Sequence, residues 1–132
     1  MYIKRTVDCA AFTANDGCAI RELLHPENDQ FALPYSLAAG EVASGGRTFR
    51  HKLAGAEVYY ILEGSGIMHI DSESRACMPG DVVAVPAGAA QWLENQGDNT
   101  LRFLCVVSPP WRAEEDVLLE SSTPSARVKS MP

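Results

Sequence analysis

Strand signals dominate the pattern of apolar and polar positions along this chain. Residues 36–42 read as a strand that Ser44-Gly45-Gly46 ends. Residues 57–62, rich in β-branched and aromatic side chains, are followed by Glu63-Gly64-Ser65-Gly66 and by residues 67–71 as a return strand, the clearest hairpin in the chain. Residues 82–85 form a short buried strand between the turns Pro79-Gly80-Asp81 and Pro86-Ala87-Gly88. Two more strands are expected at 91–94 and 101–107, separated by Gln96-Gly97-Asp98-Asn99. Nearer the N-terminus, Asn15-Asp16-Gly17 signals a turn before residues 18–24, and His25-Pro26-Glu27-Asn28-Asp29 reads as a loop.

Short strands punctuated by turns predict an all-β sandwich or barrel, not a parallel βαβ sheet. Residues 1–111, N-terminal strands included, are expected to make the barrel, with Pro109-Pro110-Trp111 ending it. Residues 112–120 are expected to form one short helix, and the polar remainder of 112–132 a flexible tail.

Composition narrows the partners more than the fold. A chain of 132 residues, 46% hydrophobic and 21% charged, is long enough for one domain with one core. Its net charge of −6 and lack of any basic run argue against nucleic acid or a membrane as partner. No apolar run approaches a membrane span, and the basic start Met1-Tyr2-Ile3-Lys4-Arg5 is interrupted before a signal region forms. Cys9, Cys18, Cys77 and Cys105 are scattered without a Cys-x-x-Cys pair, which favours a reduced, cytoplasmic protein.

Parity brings the chemistry together. Side chains in a strand alternate between faces, so His51 and Leu53 share one face, and Glu57 rejoins it after the Ala54-Gly55-Ala56 bend. Glu57, Tyr59 and Ile61 then line one side of their strand, and Gln91 shares a face with Leu93. With Arg102 in solvent, Leu101, Phe103, Cys105 and Val107 face inward. A carboxylate turned into a core is costly unless it is paired, hydrogen-bonded or bound to metal, and an inward His51 and Gln91 need partners too.

Two segments share a grammar of glycines, one proline and potential ligands. The first is Gly45-x5-His51-x-Leu53-x3-Glu57-x6-Gly64, and the second is Gly80-x5-Pro86-x-Gly88-x2-Gln91-x3-Asn95. The pair resembles the two signature motifs of the cupin superfamily, small double-stranded β-helix (jelly-roll) barrels that usually hold one metal ion. Leu53 and Gln91 stand where the family pattern has histidine.

Carried over residue by residue, the resemblance implies His51, Glu57 and Gln91 as ligands of one divalent metal ion (Zn, Mn, Fe or Ni). It implies Glu57 and His51 as the groups that move a proton. Tyr59 and Cys105 are further candidates for the cofactor or ligand site. The expected function is binding of a small molecule, as a metal-dependent enzyme of isomerase, decarboxylase, lyase or dioxygenase type on a small organic acid, sugar or polar metabolite. The alternative is a sensor or carrier without metal. A homodimer is implied by the same resemblance.

The remaining candidates are weaker. His25 is expected at the surface near the barrel rim and His69 in a structural place. Arg21 and Arg47 are candidate clamps for a substrate carboxylate but more often solvated charges. Trp92 and Trp111 read as packing or subunit-interface residues.

Overall fold

Period-two alternation in the sequence becomes one-sided burial in the structure. The computed structural model describes residues 1–121, within which the chain forms β1 (Ala11–Thr13), β2 (Ala19–Leu24), β3 (Ser36–Val42), β4 (His51–Leu53), β5 (Ala56–Glu63), β6 (Gly66–Ile70), β7 (Glu73–Cys77), β8 (Val82–Val85), β9 (Gln91–Glu94), β10 (Leu101–Ser108) and β11 (Asp116–Leu118). A six-stranded sheet has the order β1-β2-β3-β10-β5-β8, and a five-stranded sheet the order β11-β4-β9-β6-β7. Every pairing between these strands is antiparallel. Two facing antiparallel sheets with chain crossings between them are the jelly-roll arrangement.

The core fills the space between the sheets. On β5, Glu57, Tyr59 and Ile61 are buried while Val58, Tyr60 and Leu62 are exposed. On β10, Leu101, Phe103, Cys105 and Val107 face inward, as the alternation predicts. Val42, Ile61, Leu93 and Leu101 are almost wholly buried and meet Met68 and Phe103 in one cluster. Burial of each such aliphatic side chain contributes about 1.5–3 kcal/mol.

Two expectations need correction. The segments at 57–62 and 67–71 do not pair as a hairpin: β5 pairs with β8 and β10, while β6 pairs with β7 and β9. The glycine-rich connection instead carries the chain from one sheet to the other. Gly64 adopts φ +76°, and a Cβ there would lie 2.6 Å from the Thr100 carbonyl oxygen. A side chain has no room at this crossing, and only glycine adopts that backbone without strain.

The helix expected over 112–120 is also not formed. Ala113–Glu115 makes a single 3-10 turn, and Asp116–Leu118 then pairs with β4 at the edge of the five-stranded sheet. The polar residues there are compatible with a helix, but tertiary pairing with an open sheet edge outweighs local propensity. β7 carries no strand signal in the sequence because its residues are mostly exposed and polar. Of the tail expected over 121–132, residues 122–132 lie outside the described residues.

Candidate functional site

The site lies between the two sheets, and each sheet supplies half of it. His51 on β4 and Gln91 on β9 are direct cross-strand partners in the five-stranded sheet. Glu57 and Tyr59 on β5 and Cys105 on β10 come from the six-stranded sheet, where Cys105 is the partner of Tyr59. All five are buried. Pairing register, not chain proximity, brings His51 and Gln91 together.

A hydrogen-bonded network ties the sheets across this core. Gln91 Nε2 donates to Glu57 Oε1 at 3.0 Å. The Tyr59 hydroxyl donates to Gln91 Oε1 at 2.6 Å and stands 3.2 Å from Glu57 Oε1. A phenol carries a single proton, so the shorter contact to Gln91 takes it. Tyr59 and Gln91 thereby satisfy one another while holding Glu57 in place.

His51 sits between two carboxylates that the sequence pattern does not assign to the site. Its Nδ1 donates to Asp116 Oδ1 at 2.8 Å, and its Nε2 lies 3.2 Å from Asp16 Oδ2. The latter approach lacks the geometry of a hydrogen bond, and Nε2 is a buried polar atom without a hydrogen-bond partner. Asp16 is held by its turn, where Oδ1 accepts from the Cys18 amide at 3.0 Å. Asp116 is held by Trp111, whose Nε1 donates to Oδ2 at 3.0 Å. In the sequence Asp16 is hidden in the turn signal Asn15-Asp16-Gly17, and Asp116 in a segment that reads as helix.

Electrostatics follow from this burial. Burial raises the Glu57 carboxyl to about 7, opposed mainly by the charge of His51. Burial works against a charged His51, but the Asp116 hydrogen bond and the Asp16 and Asp116 charges outweigh it and raise the imidazole to about 9. Burial also raises Asp16, with His51 pulling the other way. Burial pushes the Cys105 thiol well up, so this residue serves as a neutral wall and not as a thiolate.

A cavity of about 50 Å³ borders this cluster, with His51, Glu57, Asp16 and Asp116 on its wall. Its apolar lining includes Phe12, Ile20, Leu53, Val107 and Trp111. The rings of Phe12 and Trp111 form a tilted pair 6.4 Å apart. A larger cleft of about 550 Å³ opens between β7 and β8, but Glu73, Ser74, Arg75 and Asp81 line it and none of the buried cluster does. Apolar walls with a few convergent polar groups are the lining of small-molecule sites. The smaller cavity shares that lining, though its volume of about 50 Å³ admits only a few heavy atoms.

The other candidates fall away from the cavity. His25 is not at the surface: it is buried, with Nε2 2.7 Å from the Trp111 carbonyl oxygen and Nδ1 accepting from the Glu27 amide. His69 is structural, stacked on Trp92 at 3.6 Å and bonded to Glu94. Arg47 lies over the Trp92 ring and pairs with Glu120, while Arg21 binds backbone carbonyls of the N-terminal segment.

Of the residues expected to hold a metal ion, Glu57 and Gln91 are partners of each other, while His51 faces two aspartates. Gln91 Oε1 is taken by Tyr59, Glu57 Oε1 by Gln91, and both ring nitrogens of His51 are turned to carboxylates. Leu53 occupies a cavity-wall position that offers no donor atom. Among the described residues, no three His, Cys, Asp or Glu side chains stand where they would hold a metal ion. This donor set does not fit a bound divalent metal.

Comparison with known proteins places the architecture in context. The family model described as "Cupin domain" matches residues 35–107. An uncharacterised protein of Methanocaldococcus jannaschii is 39% identical over 110 residues, covering 83% of this chain and 87% of that protein. An oxalate-binding protein of Thermotoga maritima is 38% identical over 58 residues, which span 43% of this chain and 48% of that protein. The polyketide cyclase RemF of Streptomyces resistomycificus superposes with a TM-score of 0.76 at 22% identity, covering 100% of this chain and 94% of that one. At that identity the likeness shows the fold alone.

Proposed function

The chain belongs to the cupin family, and on that footing we propose that it binds a small molecule in the cavity beside His51 without a metal ion as intermediary. The single observation that carries this reading is the buried Nε2 of His51, which makes no hydrogen bond and belongs to a residue on the cavity wall. A buried donor left unmade costs about 1–3 kcal/mol, so a ligand that satisfies it gains that amount on binding. Glu57, held by Gln91 and Tyr59, is the second polar group at the cavity and the one suited to exchange a proton with a ligand.

A soak of crystals with a library of small fragments tests the reading. Density in this cavity, within hydrogen-bond reach of His51 Nε2, is the expected result. Fragments found only in the cleft between β7 and β8 would refute it.

A second reading, a metal-dependent enzyme on a small organic acid or sugar, draws support from the convergence of His51, Glu57 and Gln91 on one core. It requires Gln91 to release Tyr59 and His51 to release a carboxylate. Elemental analysis of protein purified without added metal or chelator decides between the two, and one equivalent of a transition metal would favour the second. Assembly and compartment belong to the same proposal. Val58, Tyr60, Leu62 and Val82, exposed on the outer face of the six-stranded sheet, support a homodimer, which sedimentation would test. Four buried cysteines without disulfides support a reducing, cytoplasmic setting.

A further inference from the structure

We propose that Ser74, His69 and Glu94 form a second site, on the outer face of the five-stranded sheet, where a serine nucleophile with its base and orienting carboxylate cleaves small uncharged esters. None of the three lines the cavity beside His51.

Strand register builds the cluster. β6 and β7 form a hairpin around the two-residue turn Asp71-Ser72, which sets Ser74 directly opposite His69. Ile70 and Glu73 close the turn as a hydrogen-bonded pair, so His69 and Ser74 are the next, non-hydrogen-bonded pair, the kind that brings side chains closest. On its other side β6 places His69 opposite Trp92 and Ile67 opposite Glu94. These side chains share the outer face, because Met68, Gln91 and Leu93 occupy the buried one.

The distances are those of an activated serine. Ser74 Oγ stands 2.6 Å from His69 Nδ1, and His69 Nε2 stands 2.7 Å from Glu94 Oε1. A carboxylate only accepts, so Nε2 carries the proton and Nδ1 of the neutral ring is left to accept from the Ser74 hydroxyl. The ring lies flat on Trp92, with 3.6 Å between centroids and 1° between planes. The stack that gives His69 a structural place therefore also fixes its line to Ser74. A nucleophile bonded to a base that a third group orients is the arrangement that activates a hydroxyl. Ser74 is exposed, whereas the His69 and Glu94 side chains are 16% and 20% exposed, so the nucleophile is open to solvent and its base is sheltered.

Ser74 also borders the cleft of about 550 Å³ between β7 and β8, where Met68, Ile70 and Val83 offer apolar contact. Asp71, Glu73 and Asp81 outnumber Arg75 on that lining, which disfavours an anionic substrate. Among the described residues β7 pairs only with β6. The Ser74 N–H therefore turns to the open edge of the sheet, as a donor for the oxygen of a tetrahedral intermediate.

Ser74 Oγ attacks the ester carbonyl carbon as its proton passes to His69 Nδ1. The bond from that carbon to the alcohol oxygen breaks, and His69 returns the proton to the leaving alkoxide. Water then attacks the acyl-serine and gives a proton through His69 back to Ser74, which releases a carboxylic acid and the free hydroxyl.

Two probes test the site on the full-length protein. With an alkyl fluorophosphonate, an Oγ–P bond forms and fluoride leaves, and peptide mass spectrometry is expected to map one adduct to Ser74. With p-nitrophenyl acetate, Ser74→Ala is expected to lower nitrophenolate release at least about tenfold. Glu94→Gln should slow phosphonylation of Ser74 with little change in melting midpoint, whereas a merely structural Glu94 would move the midpoint and not the rate. An adduct on other residues only, no adduct at all, or a Ser74→Ala variant as active as the parent chain would overturn the proposal.

Discussion

Asp116 and His51, 65 residues apart in the chain, meet through a 2.8 Å hydrogen bond between Oδ1 and Nδ1. Both side chains are almost wholly buried. The bond exists because β11 pairs with β4, setting Leu118 opposite His51 and Asp116 opposite Leu53. An edge strand thus delivers the carboxylate that fixes the imidazole.

Asp116→Ala leaves His51 buried with one carboxylate and should destabilise the fold by about 3–5 kcal/mol. Asp116→Asn retains an acceptor oxygen and should cost less. Urea denaturation of both variants measures the difference. Equal stability of Asp116→Ala and the parent chain would show that β11 is not docked as described.

Stability should fall with rising pH in two windows. Glu57 rises from an ordinary 4.5 to about 7 on folding, and His51 from 6.5 to about 9. Each group binds its proton more tightly when folded, so its contribution is fully present below the unfolded value and is lost as pH rises through the folded one. Glu57 therefore acts between about 4.5 and 7, and His51 between about 6.5 and 9. Glu57→Gln should flatten the lower window and leave the upper, read from denaturation midpoints across a pH series.

Two glycines with the same backbone sign should respond differently to alanine. Gly45 has φ +80° with nothing within 4 Å of the place a Cβ would take, whereas at Gly64 a Cβ would meet the Thr100 carbonyl oxygen at 2.6 Å. Gly45→Ala should cost about 1–2 kcal/mol, the backbone term alone. Gly64→Ala should cost clearly more, because backbone at the sheet crossing must move. Thermal melts of the two variants side by side check the order.

Restoring the family's histidines should restore metal affinity. Leu53→His with Gln91→His places imidazoles beside His51 and Glu57 on the inward faces of β4 and β9. Metal content after purification should exceed that of the parent chain. Matching content in the two proteins would mean that Leu53 and Gln91 do not control occupancy.

Much of the architecture is legible in the sequence because the strands carry their own period. The expected strand at 36–42 coincides with β3, and those at 82–85 and 91–94 with β8 and β9. Inward placement of Glu57, Tyr59 and Cys105 follows from parity alone. Pairing does not. Residues 57–62 and 67–71 carry the composition of a hairpin, yet β5 pairs with β8 and β10 while β6 pairs with β7 and β9 in the other sheet. His25 has no sequence signal for burial, which comes from the Trp111 carbonyl of a distant segment.

The sequence by itself determined the β-rich architecture and the inward face of each strand, because alternation and turn chemistry are local properties. The grouping of His51, Glu57 and Gln91 was implied only by the family resemblance. Tertiary structure alone decided what those three residues do. It turned Gln91 and Tyr59 toward Glu57, and it brought Asp16 and Asp116 to either side of His51. Such partners are set by which strands pair and in what register, and no local pattern encodes a contact made across 65 residues.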